Sequence, residues 1–86
     1  EAFNVYGVIL REVKKDVEAA RISYEEAVRL NPDDWETRTN LASLYFYRNE
    51  LLVAKRHIDE AYRVNSSHSV VRGWHARITQ AIKKIN

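Results

Sequence analysis

Apolar residues recur every three or four positions in five segments of this chain, a spacing that places them on one face of an α-helix. The predicted helices span about residues 2–13, 17–30, 34–47, 51–64 and 68–85. The apolar stripes of the second, fourth and fifth helices are Val17, Ala20, Tyr24, Ala27 and Val28; Leu51, Ala54, Ile58, Ala61 and Tyr62; and Val71, Trp74, Ile78, Ile82 and Ile85. We therefore predict an all-α fold in which these stripes face a common core.

Polar turns separate the predicted helices. Pro32 ends the second helix, because proline cannot continue a helix but fits the first turn of the next one. Asp33, which heads a sequence that resembles a capping box, or Asp34 is expected to cap the third helix. Asn49 is expected to adopt the left-handed conformation that ends many helices. The polar segment 65–67 is expected to supply the last break and the N-cap of the fifth helix.

The pattern around Ala20 recurs around Ala54. Each alanine is followed by a large side chain four positions later and by another alanine seven positions later. The interval between the two patterns, about 34 residues, is typical of repeats built from two helices. Such a unit cannot bury its apolar face alone, so it must stack on a neighbour. Small side chains at these positions, with Gly7 and Ala42 facing them, would let the paired helices approach closely.

The repeated pattern resembles the tetratricopeptide repeat. The matching residues are Phe3, Tyr6, Gly7, Leu10, Ala20, Tyr24, Ala27 and Pro32 in the first unit, and Leu41, Ala42, Tyr45, Asn49, Ala54, Ile58 and Ala61 in the second. The chain departs from the family at Arg38 and Ser66, where Trp and Pro are usual, and one residue is inserted between Gly7 and Ala20. The resemblance implies repeats over 1–34 and 35–68 and a capping helix over 69–86. These units would form stacked antiparallel helical hairpins in a right-handed α-solenoid of five helices.

The resemblance also implies a protein–protein interaction module that binds an extended peptide or a helix in a concave groove. By position in the family, the groove residues are Asn4, Val8, Arg11, Glu36, Thr39, Asn40, Ser43, Phe46, Tyr47 and Arg72. A register one residue different would replace Arg72 by Val70 and Trp74. Phe46 and Tyr47 would anchor a partner, or would pack against a neighbouring repeat of a longer parent. The alternative function is self-association, or a scaffold segment that docks through its end faces.

Composition excludes several kinds of chemistry. The chain has no cysteine, so it has no disulfide and no thiolate metal site, and its three histidines lack the spacing of metal ligands. We expect no cofactor, and without a nucleophile–base pair or a glycine-rich phosphate loop we expect no enzyme. No apolar run approaches the ~18 residues that span a bilayer. The chain begins at Glu1 and lacks Met, as expected for a piece of a longer protein or a processed N-terminus.

The charge is unevenly distributed along the chain. Residues 1–43 contain six basic and nine acidic residues, a balance of −3, and residues 44–86 contain eight and three, a balance of +5. The total of +2 is too small to indicate nucleic-acid binding. The asymmetry is typical of an unevenly charged solvated surface, or of a chain that steers a charged partner or associates head to tail.

Overall fold

A computed structural model describes residues 17–85, which form four helices. They are α1 (Val17–Leu30), α2 (Trp35–Tyr47), α3 (Leu51–Val64) and α4 (Ser69–Lys84), with no β-strand in this range. The predicted all-α fold is confirmed for these residues, and the helix predicted over 2–13 lies outside them. The bounds of α1 and α3 agree with prediction residue for residue. The other two helices begin one residue later than predicted, and α4 ends one residue earlier.

The helix boundaries repeat with the same period as the sequence. α3 spans positions 51 to 64 and α1 spans positions 17 to 30, so both ends are offset by the interval that separates Ala54 from Ala20. α4 begins at position 69 and α2 at position 35, which is the same offset again. The described residues therefore contain a repeated order of helices, as expected of a helical repeat protein.

The core lies where α2 meets its neighbours, because α2 packs on α1, α3 and α4, and α3 packs also on α4. Ala20, Ala42 and Ala54 are all fully buried, which confirms the prediction that these small residues lie at helix contacts. The large side chains that fill the remaining volume are Tyr24, Leu41, Leu44, Ile58, Val71 and Ile78. The equivalent alanines of α1 and α3 are thus equally enclosed.

Three residues predicted to face the core are exposed instead: Val17, Tyr62 and Ile85. Val17 is the first residue of α1, and Ile85 follows the last residue of α4, so both lie where the described helical packing ends. The ring of Tyr62 stacks on His75, with centroids 4.3 Å apart, and the residue is 38% exposed. Helical periodicity predicted the direction of these side chains but not the end of the packed region.

The turn between α2 and α3 has the conformation predicted from Asn49. Asn49 has a φ of 64°, the left-handed region that asparagine tolerates better than most residues. Its N–H donates to the carbonyl of Phe46, and the N–H of Glu50 donates to the carbonyl of Tyr45. These two bonds form a Schellman motif, which satisfies carbonyls at the end of α2 and reverses the chain within a short turn.

The N-cap of α2 is one of the two aspartates predicted, whereas the N-cap of α4 lies one residue beyond the polar segment predicted. Asp34, not Asp33, caps α2, and its carboxylate accepts from the Thr37 N–H at 3.1 Å and from the Thr37 hydroxyl at 2.6 Å. His68, not a residue of 65–67, caps α4, and its Nδ1 accepts from the Val70 N–H at 3.2 Å. The His68 ring also packs on Trp35, with centroids 4.6 Å apart, which fixes its position.

We expect Asp34→Ala to lower the free energy of unfolding by about 1 kcal/mol, because it leaves the first N–H groups of α2 without their cap. Urea unfolding would measure the loss. Asp33→Ala is the matched control, since Asp33 is exposed and pairs only with the exposed Arg63. The control should change the stability by less than about 0.5 kcal/mol. A loss at Asp33 equal to that at Asp34 would show that the cap is assigned to the wrong aspartate.

Candidate functional site

Three aromatic rings from two helices meet on one side of the molecule. We call Phe46 and Tyr47, at the end of α2, and Trp74, in α4, the aromatic cluster. The Trp74 ring centroid lies 5.5 Å from that of Phe46 and 5.9 Å from that of Tyr47, and each pair meets edge to face. Phe46 and Trp74 are partly buried against the core, whereas Tyr47 is 67% exposed. Two rings of the cluster therefore pack on the core, and the third is accessible to solvent.

Arg77 completes this surface. Its guanidinium carbon lies 5.5 Å from the Phe46 ring centroid and 5.2 Å from that of Trp74, within range of cation–π attraction to both rings. Val70, Gly73, Trp74 and Arg77 line a shallow depression of about 280 Å³ beside the rings. A Cβ atom added at Gly73 would meet no atom within 4 Å apart from its chain neighbours and its own helix's backbone, so the space next to Gly73 is open. The surface thus combines exposed apolar area with one fixed cation.

Several residues predicted to line the groove lie elsewhere on α2. The hydroxyls of Thr39 and Ser43 are buried and donate to carbonyls of their own helix, at 2.7 Å to Trp35 and 2.8 Å to Asn40. This position argues against a contact between either hydroxyl and a partner. Glu36 lies at the opposite end of α2, ten positions or ~15 Å from Phe46. Asn40 is half-buried between these two regions.

On α4, Val70 lies beside Trp74 of the aromatic cluster, whereas Arg72 does not. Arg72 is exposed, but it lines a different depression with Tyr62 and His75. Arg72 and Arg77 are five positions apart, which corresponds to roughly 140° around the helix, so they cannot share one face. Val70 and Trp74 are the pair next to Arg77. Arg72 therefore does not join the aromatic cluster, and the remaining predicted groove residues, Asn4, Val8 and Arg11, lie outside the described residues.

Arg77 is the functional candidate that the sequence reasoning missed. A signal for it was present, because Arg77 follows Trp74 by three positions and is the counterpart, one repeat later, of Ser43, a predicted groove residue. A residue three positions after an aromatic side chain on a helix lies next to it on the surface. The repeat period therefore pointed to this position.

The histidines serve packing and capping. His75 is half-buried, as predicted, and lies between the Tyr62 ring and Asp59, whose Oδ1 is 3.5 Å from its Nε2. His57 was predicted on the flank of the apolar stripe and is buried. Its ring stacks on Tyr45 at 5.7 Å, and its Nδ1 lies 3.3 Å from the Arg38 guanidinium. Because arginine only donates, this Nδ1 must accept, which requires an unprotonated nitrogen.

Burial lowers the pKa of His57 below its ordinary value, with the cations of Arg38 and Arg56 adding to the decrease and Glu25 opposing it. The folded state then binds fewer protons than the unfolded state at mildly acidic pH. The free energy of unfolding therefore has its full value above about pH 6.5, the pKa of histidine in the unfolded chain, and part of it is lost as the pH falls below that value. We expect His57→Gln to reduce the fall in unfolding free energy between neutral pH and mildly acidic pH. Denaturant unfolding at a series of pH values would measure it, and an unchanged pH dependence would contradict the assignment.

Two further findings bear on the kind of site. Within residues 17–85, no group of three or more His, Cys, Asp or Glu side chains comes together as a set of metal ligands. No helix in the described range is both long enough and apolar enough to cross a membrane.

Comparisons with protein-family models, with curated proteins and with solved structures gave no match. The geometry of the aromatic cluster is therefore the basis on which a function can be inferred.

Proposed function

We propose that this chain is a protein-binding module of the tetratricopeptide repeat type, which binds a partner rather than catalyses a reaction. The observation behind the proposal is the aromatic cluster. Tyr47 is 67% exposed, and its ring contacts those of Phe46 and Trp74, which are partly buried against the core. Exposed aromatic side chains on a rigid support are the usual anchors of protein interfaces. The partner would be an extended peptide or a helix laid across α2 and α4.

The repeat geometry supports this proposal. In this reading α2 and α4 are the first helices of successive repeats and line the concave side of a right-handed arc, with α1 and α3 behind them. The equal offsets of the helix starts support that arrangement. The fully buried Ala20 and Ala54 support it too, since they allow close approach of the paired helices. A curved stack of helices presents an extended surface, which suits binding better than enclosure of a substrate.

We expect Tyr47→Ala to weaken binding of a partner peptide by about tenfold or more, because it removes the most exposed anchor. The probe is a peptide selected on the immobilised protein from a random displayed library, and fluorescence polarisation measures its affinity. Tyr47 is chosen over Phe46 because Phe46 also packs against the core, so its truncation would reduce stability as well as binding. Tyr47→Ala should leave the thermal melt nearly unchanged, since substitutions of exposed side chains usually do.

Leu52→Ala is the matched control, because Leu52 is 74% exposed on α3 and takes no part in the aromatic cluster. It should bind the selected peptide as tightly as the parent. If Tyr47→Ala binds as the parent does and Leu52→Ala does not, the binding surface lies on α3 and the proposal is wrong.

A second candidate function is self-association through an end of the helical stack. Leu52 and Ile85, at 74% and 69% exposure, flank an apolar depression of about 370 Å³ between the start of α3 and the end of α4. Exposed apolar residues gathered at one end are typical of surfaces that meet another chain. Sedimentation velocity over a range of concentrations tests this function. Leu52→Lys should abolish any dimer that this face forms, and a dimer that persists would exclude the face.

A further inference from the structure

The four arginine and lysine residues of α4 have no acidic partner within residues 17–85, whereas four of the six in the other helices have one. Elsewhere in the described residues the ion pairs join Arg21 to Glu18 and Glu25, Arg29 to Glu26, Arg48 to Glu18 and Glu50, Lys55 to Asp59, and Arg63 to Asp33 and Glu60, and only Arg38 and Arg56 have none. α4 contains Arg72, Arg77, Lys83 and Lys84 but no Asp or Glu. None of these four cations forms an ion pair with a carboxylate within residues 17–85. Within the described part of the chain, their charge is therefore not neutralised by a carboxylate.

Two of these cations lie on the same side of α4 as the aromatic cluster. Arg77 and Lys84 are seven positions apart, which corresponds to a rotation of only about 20° and a separation of about 10 Å along the axis. Val70, seven positions before Arg77, extends the same stripe in the other direction. Arg72 and Lys83 lie on the opposite flank. The stripe therefore passes from an exposed apolar residue through the depression to two successive positive charges.

Two aromatic rings contact the side chain of Arg77. Its guanidinium packs on the rings of Phe46 and Trp74, at 5.5 and 5.2 Å. Stacking restricts a guanidinium plane while leaving its N–H donors at the edge, and the paired donors match the two oxygens of a carboxylate. Because part of the side-chain entropy is already lost in the free protein, less is lost when the ion pair forms.

We propose that the partner of the aromatic cluster is an acidic segment of another protein, a proposal that rests on the proposed function. One carboxylate pairs with Arg77, a second lies about 10 Å further on at Lys84, and an apolar side chain enters the depression beside Val70 and Gly73. The spacing fits acidic residues three apart in an extended segment or seven apart in a helix. The chemistry favours protein over single-stranded nucleic acid, because Arg77 already covers the Phe46 and Trp74 rings on which a base would stack.

The test selects a random displayed dodecapeptide library on the parent protein, on Arg77→Glu and on Arg72→Glu. Arg72 is the matched control, since it is exposed on the same helix but on the other flank. The parent and Arg72→Glu should both enrich peptides that carry Asp or Glu near an apolar residue. Arg77→Glu should lose that enrichment and should bind the peptide selected on the parent about tenfold or more weakly. Affinity for that peptide should fall as the salt concentration rises.

The outcomes separate this inference from the function on which it rests. Peptides whose binding depends on Tyr47 but which carry no excess of acidic residues would overturn the inference and leave the proposed function intact. Equal weakening by Arg72→Glu and Arg77→Glu would also overturn it, because only general charge would then matter. An oligothymidylate that binds in an Arg77-dependent manner while acidic peptides do not would identify nucleic acid instead. Failure to recover any Tyr47-dependent peptide would overturn both proposals.

Arg77→Gln, which removes the charge without reversing it, should also lose the enrichment of acidic peptides, with an unchanged thermal melt.

Discussion

Ile58→Ala should lower the free energy of unfolding by about 2–5 kcal/mol. Ile58 lies in α3 and is fully buried in the core that α3 shares with α2 and α4. The substitution removes apolar atoms from this contact and leaves a cavity that the surrounding helices fill only in part. Small domains have total stabilities of only about 5–15 kcal/mol, so this variant should be close to unfolding at physiological temperature.

Ile22→Ala provides the control for Ile58→Ala. It is the same chemical change in the middle of α1, at a residue that is 56% exposed. Because alanine also has the higher helix propensity, the stability should change by less than about 0.5 kcal/mol in either direction. Urea unfolding of both variants gives the comparison. Similar losses at the two isoleucines would mean that the core does not have the composition described.

Ala54→Leu should lower the free energy of unfolding by about 1–3 kcal/mol, although leucine is more apolar and forms helices well. Ala54 is fully buried at a contact between helices, so a larger side chain must push the helices apart or take a strained rotamer. Ala76→Leu makes the same change at an exposed position of α4 and should be nearly neutral. A parent-like stability for Ala54→Leu would contradict the close packing that the repeat requires.

The helix bounds follow from the sequence because local signals and apolar spacing agree. Asn49 and Pro32 mark the chain reversals, and the stripes of α1 and α3 begin with the helices and end two residues before them. The cap of α4 was not predictable in the same way, because serine and asparagine cap helices far more often than histidine. His68 takes this place because its ring is also held by Trp35, a contact that only the tertiary structure provides.

The aromatic part of the candidate site was predictable from the sequence, but its polar part was not. Thr39 and Ser43 occupy positions of α2 that suit a groove, yet their hydroxyls bond to their own helix and are buried. Small hydroxyl side chains can satisfy themselves in this way, so sequence alone does not reveal which way they point. Whether Arg72 or Arg77 lies beside the aromatic cluster depends on which flank of α4 meets α2. An apolar stripe predicts which side of a helix faces the core, but it does not predict which helix packs on each flank.

A ¹⁵N–¹H NMR titration with a peptide selected for binding would show whether a partner binds at the aromatic cluster. The chain has two tryptophans, so two indole N–H signals report on two separate places. Trp74 belongs to the aromatic cluster, and Trp35 packs on His68 at the start of α4. The Trp74 indole signal should shift, together with the backbone signals of Tyr47 and Arg77, while the Trp35 indole signal stays in place. Shifts confined to the surroundings of Leu52 and Ile85, with the Trp74 signal unmoved, would contradict binding at the aromatic cluster.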